Sequence, residues 1–309
     1  MQKTDELINE IKKVVIGKEQ VIKKVIMAML AGGHVLLEDI PGVGKTTMAL
    51  SISRCLGLDY KRIQFTPDVI PSDVVGFTVL DRKSGEFVYK PGVVMTNLLL
   101  ADEINRTSSK TQAALLEVME EGHVTVDGHT YEVPKPFTVI STQNPFGSAG
   151  TQMLPQSQMD RFMVRLEMGY PDFESQISIL RDRQTEKPLE LVKQVVDKNE
   201  LEVMQNEVRF VTVKDGILEY ITKLVENTRV NEYVKLGVSP RGAYALNNMA
   251  KACAYVEGRD YVTPEDVMEV FPYVTSHRVI LHPKAKVAEL SAIEIMSDIV
   301  KNTEVPAIV

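Results

Sequence analysis

One ten-residue stretch, Glu38-Asp39-Ile40-Pro41-Gly42-Val43-Gly44-Lys45-Thr46-Thr47, constrains this chain more than any other feature. It joins a short apolar run, His34-Val35-Leu36-Leu37, to an amphipathic run from about Lys45 to Leu56 that closes at Gly57. That is a strand–loop–helix succession, the context a phosphate loop requires. The glycines let backbone N–H groups turn inward without a Cβ in the way, and the new helix points its positive end at the same place. Lys45 is then placed to reach the β and γ phosphates of a nucleotide, and the Thr46 hydroxyl to ligate Mg2+. Strict phosphate-loop spacing wants glycine at position 39, where Asp39 stands. The bland alternative is a Gly-rich turn with an exposed lysine, and the flanking strand and helix argue against it.

The remaining apolar runs tell the same story. Tyr60–Gln64, Asn97–Ala101, Phe137–Thr142 and Phe162–Leu166 lack polar alternation, so they read as strands of a parallel sheet buried on both faces. Helical stretches between them, such as Ser108–Glu121, argue for an open α/β sheet. Two insertions interrupt the rhythm. Gly76–Val94 reads as two strands around a polar turn, and Asp127-Gly128 is a hairpin signal between His123–Val126 and His129–Val133. After Pro171 helical runs dominate: Phe173–Arg183, Leu201–Glu207, Lys214–Arg229, Pro240–Val256, Pro264–Val274 and Val287–Lys301. Ser239-Pro240 and Thr263-Pro264 are strong helix starts. A boundary near 170 therefore divides an α/β half, 1–170, from an all-helical half, 171–309.

A second chemical signal is Leu98-Leu99-Leu100-Ala101-Asp102-Glu103, 57 residues after Lys45. A buried strand ending in two acids sets them at the carboxyl edge of the sheet, where open α/β folds bind ligands. Asp102 would hold Mg2+ and Glu103 would polarise an attacking water. Alone, such a pair is more often a solvated strand end.

Composition excludes several classes. The chain has 309 residues, about two domains' worth. Its 44% apolar and 25% charged residues rule out wholesale disorder. A net charge of −7 argues against a strongly basic nucleic-acid module. No segment approaches the roughly 18 consecutive apolar residues of a membrane span. The acidic start lacks a signal-peptide core, and two isolated cysteines fit a reducing compartment, so a cytoplasmic protein is expected. The histidines show no recurring metal-ligand spacing.

Taken together, Glu38–Thr47, Leu99–Arg106, Lys110–Glu121, Ser141–Pro145, Leu154–Phe162 and Val238–Arg241 resemble the AAA+ ATPases, and specifically the MoxR family, over nearly the whole chain. The resemblance implies an AAA+ P-loop NTPase core with a parallel five-stranded sheet and a C-terminal helical lid. The two insertions match the helix-2 insert and the pre-sensor-1 hairpin, so that Arg82, Lys83, Phe87, His129 and Tyr131 face either a pore or partner, or solvent. It implies that Pro41, Gly42, Val43, Gly44, Lys45, Thr46 and Thr47 contact ATP, with Ile16 and Gly17 against the adenine. Asn144 matches sensor 1. Arg161 matches an arginine finger that reaches a neighbouring subunit's γ phosphate. Arg241 matches sensor 2, where a helix end and a guanidinium could face the nucleotide together. A homo-hexamer that remodels or matures a client, with a partner bearing a von Willebrand factor A domain, is implied by the same resemblance. Three other readings stay open: a DNA-translocating motor, a metal-chelatase subunit, and a non-hydrolysing nucleotide-gated scaffold.

Overall fold

Side-chain alternation along the apolar runs decides how the central sheet is covered. The computed structural model describes residues 2–40, 42–144, 153–182 and 188–306. Helices α1 (Gln2–Lys12) and α2 (Glu19–Leu30) lead into β1 (Val35–Glu38) and then α3 (Lys45–Cys55). β2 (Tyr60–Gln64) is followed by α4 (Pro71–Val75) and the hairpin β3 (Gly76–Leu80) and β4 (Phe87–Pro91). Next come β5 (Leu98–Asp102), α5 (Ser109–Glu121), the hairpin β6 (His123–Val126) and β7 (His129–Glu132), then β8 (Thr138–Gln143), α6 (Gln156–Met159) and β9 (Val164–Leu166). The rest comprises α7 (Phe173–Asp182), α8 (Lys198–Phe210), α9 (Asp215–Val230), β10 (Val234–Leu236), α10 (Pro240–Val256), α11 (Pro264–Thr275), β11 (Ile280–Leu281), α12 (Pro283–Val287) and α13 (Ala292–Asn302).

The five-stranded sheet has the order β2-β5-β8-β1-β9, and every pairing in it is parallel. Val35, Leu37, Leu98, Leu100 and Ile140 point into one apolar cluster with α2 and α3. Leu36, Leu99, Ala101 and Val139 point into the other, with Leu115 and Leu116 of α5. Successive residues of a strand face opposite ways, so uninterrupted apolar runs are what a sheet covered on both faces needs. The first cluster also contains Leu246, Phe271 and Met296 of the helical half, so the core is continuous along the chain. Among the described residues no helix is long and apolar enough to cross a membrane.

Two features depart from the sequence expectation. The stretch Val287–Lys301 is not one continuous helix: α12 ends at Val287, Glu289 adopts φ 55°, and the Ser291/Glu294 capping box starts α13 at Ala292. The helical half also holds the antiparallel pair β10–β11, too short to show alternation.

His34, just before β1, fastens three elements together. Its Nε2 meets the Met119 carbonyl at 2.9 Å, and its Nδ1 accepts the Val139 N–H at 2.9 Å. Burial pushes its pKa down to about 4 from an ordinary 6.5. The folded state therefore requires neutral His34, while the unfolded chain takes up the proton near pH 6.5. Stability is full above pH 6.5 and falls as pH drops towards 4, by on the order of 3 kcal/mol from this group. Buried His277, beside Arg278, is lowered in the same direction. Urea titrations between pH 7.5 and 4 should show this loss with a shallower slope in His34→Gln; an unchanged slope in the variant contradicts the assignment.

Candidate active site

Parallel strands deliver their carboxyl ends to one edge, and the phosphate loop lies there, between β1 and α3. Gly42 and Gly44 have φ of 88° and 99°, the left-handed region where a side chain is strained. Gly44 is the N-cap of α3 and has no side chain to cap it, leaving the N–H groups of the first turn for an outside acceptor. Lys45 Nζ donates to the carbonyls of Asp39 at 2.9 Å and Ile40 at 3.2 Å. Burial lowers the Lys45 pKa, against the opposing pull of Asp39, Asp102 and Glu103. A half-buried ammonium held by loop carbonyls fits an anion that would replace them. Pro41 and Pro145 lie outside the described residues.

Asp39 explains its own departure from glycine. Its φ is not positive, so no glycine is required there. Its carboxylate accepts N–H groups from Ile40 at 2.8 Å, Met168 at 2.6 Å and Gly169 at 2.7 Å. The side chain thereby ties the phosphate loop to the segment leaving β9.

Asp102 and Glu103 close β5 on the same edge. Buried Asp102 receives Arg62 Nε at 2.6 Å on Oδ2 and the Thr142 hydroxyl at 3.3 Å on Oδ1. Glu103 is left-handed, with φ 54°, and its N–H donates to Thr142 Oγ1 at 2.9 Å. Glu103 Oε2 accepts from Gln64 Nε2 at 3.0 Å and from Arg106 at 2.8 Å. Asn144 follows β8 on this edge, and its carbonyl accepts from Asn105 Nδ2 at 3.3 Å. Hydroxyl and carboxylate oxygens at Thr46 and Asp102 are the hard donors that suit Mg2+. Arg62, Gln64 and Thr142 were not singled out from sequence. The register Gln64 opposite Asp102 brings the first two beside the acids, and a polar residue closing an apolar strand is the signal that marks them.

A cavity of about 270 Å³ adjoins the loop. Gly42, Val43, Gly44 and Thr47 form one wall, Val14–Ile16 another, and Tyr170 and Ile179 close it. Ile16 lines this cavity beside the loop. At Gly17, with φ 72°, a Cβ would sit 2.3 Å from Ser175 Oγ, so the glycine lets the chain turn against the start of α7.

The two arginines stand at the other edge. Arg161 precedes β9, whose neighbour Met163 donates its N–H to the His34 carbonyl ahead of β1. Glu120, at the end of α5, accepts Arg161 Nε at 2.7 Å and Arg241 Nη1 at 2.8 Å on separate oxygens. These contacts hold the Glu120 carboxyl below its usual range. From His34 to Asp39 the strand rises roughly 16 Å, more than an arginine spans. The structure therefore sets Arg241 at the edge away from its own phosphate loop. Both arginines instead border a second cleft of about 690 Å³. Among the described residues no cluster of three or more His, Cys, Asp or Glu is placed to hold a metal.

Comparison with known proteins agrees with this geometry. A family profile described as the ATPase family associated with various cellular activities (AAA) matches residues 34–164, and one for the AAA lid domain matches 226–299. The chain is 47% identical to the uncharacterised protein YeaC of Bacillus subtilis, over 97% of this chain and 93% of that one. It is 36% identical to the chaperone MoxR1 of Mycobacterium tuberculosis, over 98% and 82%. A crystal structure from Cytophaga hutchinsonii superposes with a TM-score of 0.92 at 38% identity, covering 99% of this chain and 96% of that one.

Asp39→Gly restores strict loop spacing but removes three charge-assisted bonds. It should lower stability by about 1–3 kcal/mol and weaken nucleotide binding. Thermal denaturation and nucleotide titration check this; a variant as stable and as tight as the parent contradicts the tethering role.

Proposed function

Because the chain belongs to the MoxR family of AAA+ ATPases, we propose that it hydrolyses ATP in sites shared between neighbouring subunits and spends the turnover on remodelling or maturing a partner protein. The observation that carries this reading is the pairing of Arg161 and Arg241 on Glu120, at the sheet edge opposite the phosphate loop. Two cations suited to stabilise transition-state charge are out of reach of their own nucleotide. They border the second cleft instead, where an adjacent subunit's nucleotide could reach them.

In this reading residues 1–170 form the nucleotide-binding core and 171–309 the lid. The N–H groups of the loop and the Lys45 ammonium bind and orient the phosphates, and the wall around Ile16 receives the base. Thr46 and Asp102 would hold Mg2+, which would supply neutralisation of phosphate charge. Glu103, oriented by Gln64, Arg106 and Thr142, accepts the proton of the attacking water, with Asn144 beside it. Arg161 and Arg241 from the adjacent subunit offset charge that develops on the γ phosphoryl group. Closed assembly of six subunits lets each arginine pair serve the next loop around the ring. A protein partner with a von Willebrand factor A domain and a cytoplasmic setting complete the proposal, the latter in keeping with two buried, unpaired cysteines.

Glu103→Gln should bind ATP normally and lower kcat by about 100-fold or more. Arg241→Ala should lower kcat by a similar factor without weakening nucleotide binding. Mixing Arg241→Ala with Lys45→Ala, each inactive alone, should restore activity at about one quarter of interfaces by random assembly. A silent mixture, or an Arg241→Ala variant that loses nucleotide affinity, refutes the shared site.

A further inference from the structure

Arg278, just past the end of α11, is the most deeply buried guanidinium in an ion pair among the described residues, with its side chain 2% exposed. Nothing in the hydrolytic scheme above uses it. Its Nε donates to Asp160 Oδ1 at 2.7 Å. One terminal nitrogen donates to the carbonyls of Asp160 at 3.2 Å and Phe162 at 2.6 Å. The other reaches the Met163 carbonyl at 3.1 Å and the Val274 carbonyl. The guanidinium therefore grips the backbone on both sides of Arg161.

Asp160 carries the connection onward. Its Oδ2 accepts the Ser239 hydroxyl at 3.1 Å, and Ser239 Oγ in turn accepts the Gly242 N–H at 3.1 Å as the N-cap of α10. Arg241 lies in that first turn. Gly242 packs in the same place: a Cβ there would come within 2.5 Å of Val238 Cγ1 and 2.8 Å of Arg278 Cδ, so a glycine in the first turn of the helix leaves room for both side chains.

We propose that Arg278 is a positioning residue for hydrolysis: by holding Asp160 between the Arg161 turn and the cap of α10, it fixes Arg161 and Arg241 as one rigid pair. A buried cation is costly to desolvate and contributes less to stability than apolar packing of the same size. What it does determine is geometry, because a five-donor planar fork leaves its acceptors one arrangement. Misplacement of a charge-stabilising group by an ångström is enough to cost orders of magnitude in rate. The proposal rests on the shared-site reading above, since both arginines act on a neighbour's nucleotide.

The test uses the full chain with Asp160→Asn, which keeps size, and Arg278→Lys, which keeps charge but not the fork. Each should bind nucleotide within about twofold of the parent while kcat falls about 10- to 100-fold. Each, mixed with Lys45→Ala, should regain activity, because the variant's sound phosphate loop then meets an intact arginine pair. Unchanged kcat in both variants overturns the proposal. So does a folded Asp160→Asn chain that stays silent in the mixture while an Arg161→Ala plus Lys45→Ala mixture recovers. If the Arg161→Ala mixture is silent as well, the shared-site reading itself fails and this role falls with it.

Discussion

A sheet whose strands are all parallel has two chemically different edges, and everything else in this molecule depends on that polarity. The carboxyl edge collects the phosphate loop after β1, Gln64 at the end of β2, Asp102 at the end of β5 with Glu103 just after it, and Asn144 after β8. The amino edge collects His34, Arg161 and, through the return of α5, Glu120. The phosphate loop and the acids are on one side, and Arg161 and Arg241 are on the other. A single chain built on this sheet holds the two sets at opposite edges, and the site we propose, divided between copies, follows from that topology rather than from any one side chain.

Charged groups at both edges are partnered within the chain itself. Lys45 rests on loop carbonyls, Arg62 on Asp102, Gln64 and Arg106 on Glu103, and Glu120 on both arginines. Such pairing removes the cost of an unpartnered charge in a half-buried setting. It also orients each group before binding, the condition under which electrostatic stabilisation of a transition state is largest. In the proposed shared site the phosphates of a neighbour's nucleotide would compete with Glu120 for the two guanidinium groups, an exchange of one anion for another.

What could be read from sequence was local. Apolar runs of four to six residues, the glycines at 42 and 44, and the acids at 102 and 103 are contiguous signals, and they mark the sheet, the loop and the carboxyl edge with ends displaced by a residue or two. The long-range partners were not legible. Asp39 bonds to Met168 and Gly169, Arg62 to Asp102, and Arg278 to Asp160, and pairs so far apart in the chain leave no periodicity. The cap at Ser239 identified the helix bearing Arg241 correctly, yet a cap fixes where a helix begins and says nothing about which sheet edge it meets. The break before Ser291 was present in sequence as a capping box and was masked by continuous helical periodicity on either side.

The division of the site between copies is tested most directly by the specific ATPase activity, with Mg2+, over a wide range of protein concentration, followed alongside sedimentation of the same samples. Activity per subunit should rise steeply as the chain assembles and be negligible where it is monomeric. Activity per subunit that stays constant down to concentrations at which only monomer sediments would contradict the account.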